Sequence, residues 1–178
     1  MKPDTKTVAV SAIIGALYAA LTMLLSPISY GPLQLRISEL LCILPYFLPF
    51  SAVGLFFGCI IANIVSAAGI LDIVFGSLAT LCAALCTALA GKHGRSRKTE
   101  LIACAMPVLW NSVIVGAVMT LALAGVSPLE KPSVFALYAA QIGVGEAAVM
   151  FAGGLPLMRF LPRQSFFRKL TDEEYGKS

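Results

Sequence analysis

LIACAMPVLWNSVIVGAVMTLALAGVSPL, residues 101–129, contains no Asp, Glu, Lys, Arg or His. The run is longer than the roughly 18 apolar residues that mark a helix able to cross a bilayer. Two more charge-free runs, 7–35 and 73–91, meet the same criterion. Across all 178 residues, 58% are hydrophobic and only 12% charged. Soluble domains carry about 25% charged residues, so the soluble globular class is excluded. The first run follows a basic start (Lys2, Lys6). It is too long for a secretory signal and is followed by further apolar segments, so it reads as a retained first helix.

The apolar pattern divides into spans at about 8–26, 35–48, 51–68, 71–91, 101–124 and 134–158. Between Leu40 and Val65 the run is almost unbroken. The break between the second and third spans rests on Pro45, Pro49 and Ser51, because proline removes a helix donor and clashes with the preceding turn. Parity supports the division. With a cytoplasmic N-terminus and six spans, the basic loop 92–98 and the tail with Arg159, Arg163, Arg168 and Lys169 both lie inside. Eleven of the thirteen basic residues are then cytoplasmic, leaving Arg36 and Lys131 outside, as the positive-inside rule prefers. Five spans would put the basic loop outside. The expectation is an all-α integral membrane protein, a bundle of six transmembrane helices with both termini cytoplasmic, multi-pass in a cell membrane. Residues 1–160 form one transmembrane substrate-binding domain. Residues 161–178 form a basic, amphipathic tail, either an interfacial segment on the inner leaflet or a solvated end.

Polar groups inside spans are costly and default to functional candidates. Arg36 and Glu39 open the second span and are close enough in sequence to pair with each other. Asn63 lies near the outer end of the third span and Asp72 starts the fourth. Trp110 and Asn111 lie near mid-membrane on the fifth. By helical rise, Gln141 and Glu146 lie about 10 Å and about 18 Å below the outer end of the sixth. Each has a plainer reading. Asp72 serves equally as a helix cap, Arg36 with Glu39 as an interfacial ion pair, and Asn63, Asn111 and Gln141 as hydrogen-bond glue between helices. Trp110 suits ordinary packing. Glu146 resists such a reading best, since no lysine or arginine shares its depth. Angles also limit convergence: at about 100° per residue, Trp110 and Asn111 diverge, as do Gln141 and Glu146.

Five cysteines fall inside apolar segments without a C-x-x-C pair and read as small buried hydrophobes. A single histidine, His93, leaves no basis for a histidine metal cluster. No G-x-x-x-x-G-K-[ST] run occurs, so the chain does not use ATP on its own. H-E-x-x-H and G-x-S-x-G are absent too, which argues against an enzyme. No inverted repeat of the kind common in secondary transporters is visible. On the first helix, Ala12, Ala16 and Ala20 recur every four residues, a flat strip that permits close helix contact, either within the bundle or with a partner.

Several strings in order resemble one family: Gly31-Pro32-Leu33-Gln34-Leu35-Arg36-Ile37-Ser38-Glu39, Gly58-Cys59-Ile60-Ile61-Ala62-Asn63, Leu71-Asp72-Ile73-Val74-Phe75-Gly76-Ser77-Leu78-Ala79-Thr80, and Trp110-Asn111. Over about residues 8–158 the chain resembles the QueT family, the substrate-binding (S) component of an energy-coupling-factor (ECF) transporter. That resemblance implies capture from outside of queuosine precursors, queuine-type 7-deazaguanine bases. It implies no catalysis, no cofactor on this chain, and no nucleic-acid partner. It implies docking through Ala12, Ala16 and Ala20 onto a transmembrane coupling protein with two cytoplasmic ATPases that use the ATP. The ligand set read from the polar groups themselves is Glu39, Asn63, Asp72, Trp110, Asn111, Gln141 and Glu146, with Arg36. The segment 29–35 would be a lid carrying Tyr30. Rival expectations are an S component for another vitamin-type ligand, or a small proton-coupled carrier using Glu146 and Asp72.

Overall fold

The structure, a computed structural model, describes residues 4–31 and 33–175. Pro32 of the expected lid, Lys2 of the basic start and residues 176–178 of the tail lie outside the described residues. All regular structure in the described residues is helical. Four helices are long and apolar enough to cross a membrane: α1 (Thr5–Leu24), α4 (Asp72–Lys92), α5 (Arg97–Ala122) and α6 (Pro132–Arg163). The short α2 (Ser26–Ser29) follows α1, and α7 (Ser165–Tyr175) closes the chain. Two shorter apolar helices, a 3₁₀ helix (Ile37–Tyr46) and α3 (Ser51–Asn63), occupy the second and third expected spans.

The second expected span is therefore a 3₁₀ helix rather than an α-helix. At about 2.0 Å per residue its ten residues reach about 20 Å, where α geometry would give about 15 Å. Runs of this type are seldom so long. Pro45 inside it and Pro49 just beyond stop it from continuing. Side chains three residues apart line up in this geometry, so Glu39 and Cys42 share one edge. The third span is shorter than expected. α3 ends at Asn63, and the chain turns through Gly69 at φ +59 before Asp72. The Asn63 amide donates to the Asp72 backbone carbonyl (2.9 Å), which fastens this turn.

α1 starts with the Asp4 side chain accepting from the Thr7 amide (3.0 Å). Its inward face buries Ser11, Ile14, Gly15, Tyr18, Ala19 and Thr22. The α1–α3 contact is backbone on backbone. A Cβ on Gly15 would run into the Gly54 carbonyl, and one on Gly58 would strike Gly15. Ser11 bridges the two helices, donating to the Phe50 carbonyl (3.0 Å) and accepting from the Gly54 amide (2.9 Å). Ala12, Ala16 and Ala20 lie on the opposite, exposed side.

Polarity is distributed inside out. Ile13, Leu85, Leu109, Leu137 and Val144 are exposed on the helices, whereas Arg36, Glu39, Asp72 and Glu146 are each at most 3% exposed. Outward apolar faces suit a lipid surround. Buried charges require partners.

Candidate functional site

The N-terminal end of the 3₁₀ helix delivers Arg36 into the interior. Its Nη2 donates to Asn63 Oδ1 (2.8 Å) and meets Asp72 Oδ2 (3.4 Å). Ser66 donates to the same Asp72 oxygen (2.5 Å). The guanidinium also sits against the Tyr30 ring, 5.4 Å from its centroid, within cation–π range. Tyr30 in turn donates to the Ala62 carbonyl (2.5 Å). Partial burial pushes the Tyr30 phenol above its usual range, against the opposing pull of Arg36, so the hydroxyl stays a donor. Gly76 makes room for this arrangement, since a Cβ there would meet Asp72 Oδ1 and Asn63 Nδ2.

One turn further along the 3₁₀ helix, Glu39 is held by two donors, the Tyr18 hydroxyl from α1 and the Cys42 thiol (2.9 Å). Cys59 joins the group, with Tyr18, Asn63 and Thr80 all aimed at its sulfur. On the far side Asn111 donates to Glu146 Oε1, tying α5 to α6. The helix carrying Glu146 packs directly on the segment that leads into Arg36, since a Cβ on Gly145 would run into the Leu33 carbonyl.

Irregular backbone recurs at these residues. Single π-turns cover Asp72–Gly76, Asn111–Val115 and Met150–Gly154. Such insertions often accompany functional positions. The first two begin at residues of the site and the third begins one turn after Glu146. Pro107 and Pro156 each remove a backbone donor near the second and third π-turns.

Several buried polar atoms here make no hydrogen bond among the described residues. They include the donors Arg36 Nε and Trp110 Nε1 and the acceptors Asp72 Oδ1, Asn111 Oδ1 and Glu146 Oε2. Leaving such a group unmatched costs about 1–3 kcal/mol. Clustering of unmatched atoms in a protein interior calls for a specific cause. A cavity of about 420 Å³ adjoins the cluster, lined by Tyr30, Gln34, Ser66, Met119, Tyr138 and Gln141 among others. Its two tyrosines, two amides and apolar walls are the mixed lining typical of small-molecule sites.

A family model described as QueT transporter matches residues 8–163. The chain belongs to the QueT transporter family. It is thus a multi-pass membrane transporter-family protein and not an enzyme. One relative, "Queuosine precursor transporter QueT" of Lactococcus lactis subsp. cremoris, is 40% identical over 82 residues. That match covers 45% of this chain and 48% of the relative, so the aligned part spans about half of the relative's length. No solved structure matches the chain.

Within this QueT chain, Arg36, Asn63 and Asp72 form one bonded group, Glu39 lies beside it, and Asn111 with Glu146 forms a second group. Gln141 and Tyr30 line the neighbouring cavity. Trp110 is half-buried and bonded to none of the others, although its indole N–H is enclosed. Two plainer expectations fail. The ion pair of Arg36 is with Asp72, not with Glu39, because Tyr18 and Cys42 already occupy the Glu39 carboxylate. Asp72 makes no side-chain cap, because its carboxylate turns away to Arg36 and Ser66. Cys42 and Cys59, expected as plain hydrophobes, are buried but hydrogen-bonded within the polar core. Tyr18, Gln34, Ser66 and Tyr138 were not anticipated. Only Tyr18 carried a usable signal, a polar tip on the inward face of α1, seven residues after Ser11.

Proposed function

We propose that this chain is the substrate-binding component of an energy-coupling-factor importer and captures queuosine precursors of the 7-deazaguanine type. The observation that carries the reading is the set of unmatched buried atoms, acceptors on Asp72, Asn111 and Glu146 beside donors on Arg36 and Trp110. A guanine-like base presents adjacent N–H groups for a carboxylate and a carbonyl for a guanidinium or amide. Its flat face suits stacking on Trp110 or Tyr30. The relative's name supports the cargo. Calorimetry on the purified chain with queuine and its biosynthetic precursors is the test. Tight binding of riboflavin, thiamine or biotin with none of queuine would overturn the cargo and leave the class.

The accompanying topology has six crossings with both termini cytoplasmic, the 3₁₀ helix and α3 being the two short ones. Partners are a transmembrane coupling protein, which meets the exposed Ala12, Ala16 and Ala20, and two ATPases that supply the energy. Uptake into liposomes is expected only when the ATPase complex is reconstituted with the chain.

One observation favours a second reading, a proton-coupled carrier. Glu146 Oε2 and Asp72 Oδ1 are unmatched carboxylate oxygens deep in the chain, suited to a proton relay. That reading expects a pH gradient to drive uptake by the chain alone.

A further inference from the structure

At the end of the 3₁₀ helix opposite Arg36, a cavity of about 360 Å³ opens between the loop before α5, the first turn of α5 and the end of α6. Arg95, Arg97, Arg159 and Arg163 all line it, and Glu100 is the one carboxylate in the lining. Within the lining, four guanidinium groups stand against one carboxylate, an excess of three positive charges. Glu100 is engaged with Arg159 (3.3 Å), and Arg95 lies on the Phe47 ring at 5.3 Å. The Arg97 and Arg163 side chains make neither ion pair nor hydrogen bond among the described residues.

The walls are built rather than loose. Tyr46, at the end of the 3₁₀ helix, shares a hydrogen bond with Thr99 (2.8 Å) and donates to the Gly94 carbonyl (3.3 Å). Ser96 and Thr99 cap the start of α5 reciprocally, which fixes the loop bearing Arg95. The α5 N-terminus adds its own partial positive charge. Phe167 packs edge-on against Phe47 (5.4 Å), joining α7 to the same wall. Phe160 and Phe166 stand exposed at 56% and 74% on either side of the α6–α7 junction.

We infer that this arginine-lined cavity binds a phosphate group, either the headgroup of an acidic lipid or a free phosphate anion. Guanidinium forks match phosphate oxygens two at a time, and four exposed arginines lining one cavity serve that chemistry better than lysines would. The exposed phenylalanines beside the cavity suit acyl chains, and the cavity lies at the end where the charge distribution puts the cytoplasm. The site lies at the other end of the 3₁₀ helix from Arg36, about one helix length away, roughly 20 Å.

The test uses the full chain in detergent, with dioleoylphosphatidylglycerol, dioleoylphosphatidylcholine and inorganic phosphate as probes, read by native mass spectrometry. The pocket variant is Arg97→Gln with Arg163→Gln. The control is Arg168→Gln with Lys169→Gln, which removes equal charge outside the cavity. The wild type is expected to retain phosphatidylglycerol about tenfold more tightly than the pocket variant, with the control like the wild type and phosphatidylcholine indifferent throughout. Retention of phosphatidylglycerol undisturbed by inorganic phosphate assigns the lipid source; displacement by inorganic phosphate assigns the free anion. Equal retention by the pocket variant, or an equal loss in the control, overturns the site. If the glutamine pair does not fold, Arg97→Lys with Arg163→Lys keeps the charge and removes the fork. It is then expected to give an intermediate loss, and wild-type retention by it would overturn the proposal.

Discussion

Arg36 and Asp72, separated by 36 positions in sequence, meet at 3.4 Å with side chains only 4% and 0% exposed. Breaking a buried pair from one side strands a charge, at a cost of about 3–5 kcal/mol. Asp72→Asn is therefore expected to lower the unfolding free energy in detergent by about 3–5 kcal/mol. The double change Arg36→Met with Asp72→Leu is expected to recover most of that stability without recovering ligand binding. A single variant as stable as wild type would show that the pair carries little.

Gly76 offers a sharper probe of the same group. Gly76→Ala forces a methyl against Asp72 Oδ1 and Asn63 Nδ2, an overpacking expected to cost about 1–3 kcal/mol. Gly143→Ala is the comparison, because its Cβ meets only the Ser112 side chain at ordinary contact distance. Thermal unfolding of both variants should separate them clearly.

On the α5–α6 side, Glu146→Gln keeps the shape and removes the charge. Ligand affinity measured by calorimetry is expected to weaken by about 1.5–3 kcal/mol, the worth of charge-assisted hydrogen bonds. Asn111→Ala is expected to weaken it too, by freeing the carboxylate that Asn111 holds. Unchanged affinity in both variants would remove this pair from the binding site.

Adjacent residues on α1 should behave in opposite ways. Ala16 is exposed, whereas Gly15 touches the backbone of α3. Ala16→Leu is expected to abolish transport in the reconstituted complex while leaving ligand affinity intact. Gly15→Leu is expected to disrupt the fold itself, seen as loss of monodisperse protein on gel filtration.

Topology can be checked on intact cells. Lys92, the last residue of α4, and Lys98, in the first turn of α5, are both exposed. A membrane-impermeant amine reagent is expected to leave both unlabelled until the cells are opened. Labelling before lysis would reverse the assignment of the two faces.

Much of the architecture was legible because lipid imposes a simple rule: long charge-free runs must be helices. The runs at 7–35, 73–91 and 101–129 each hold most of one of the long helices α1, α4 and α5, the first run also carrying the short α2. The second span was harder, since 3₁₀ and α geometry share the same hydrophobic demand and differ only in hydrogen-bond register. The polar residues themselves were visible as exceptions to the apolar pattern. Their pairings were not: Arg36 passes over Glu39, three residues away, for Asp72, which is distant in sequence. That choice depends on Tyr18 and Cys42 reaching Glu39 first, which is tertiary information. The π-turns at Asn111 and Met150 had only indirect markers in Pro107 and Pro156.

The tightness of the coil from Ile37 to Tyr46 has a consequence for everything the ligand would touch. Rewound at α pitch, each step of three residues would fall about 60° short of a full turn, so Glu39, Cys42 and Pro45 would fan across about 120° instead of standing in file. Substitutions that relax this coil, even at positions facing lipid, would redirect Glu39 and Cys42 away from the interior without altering either residue.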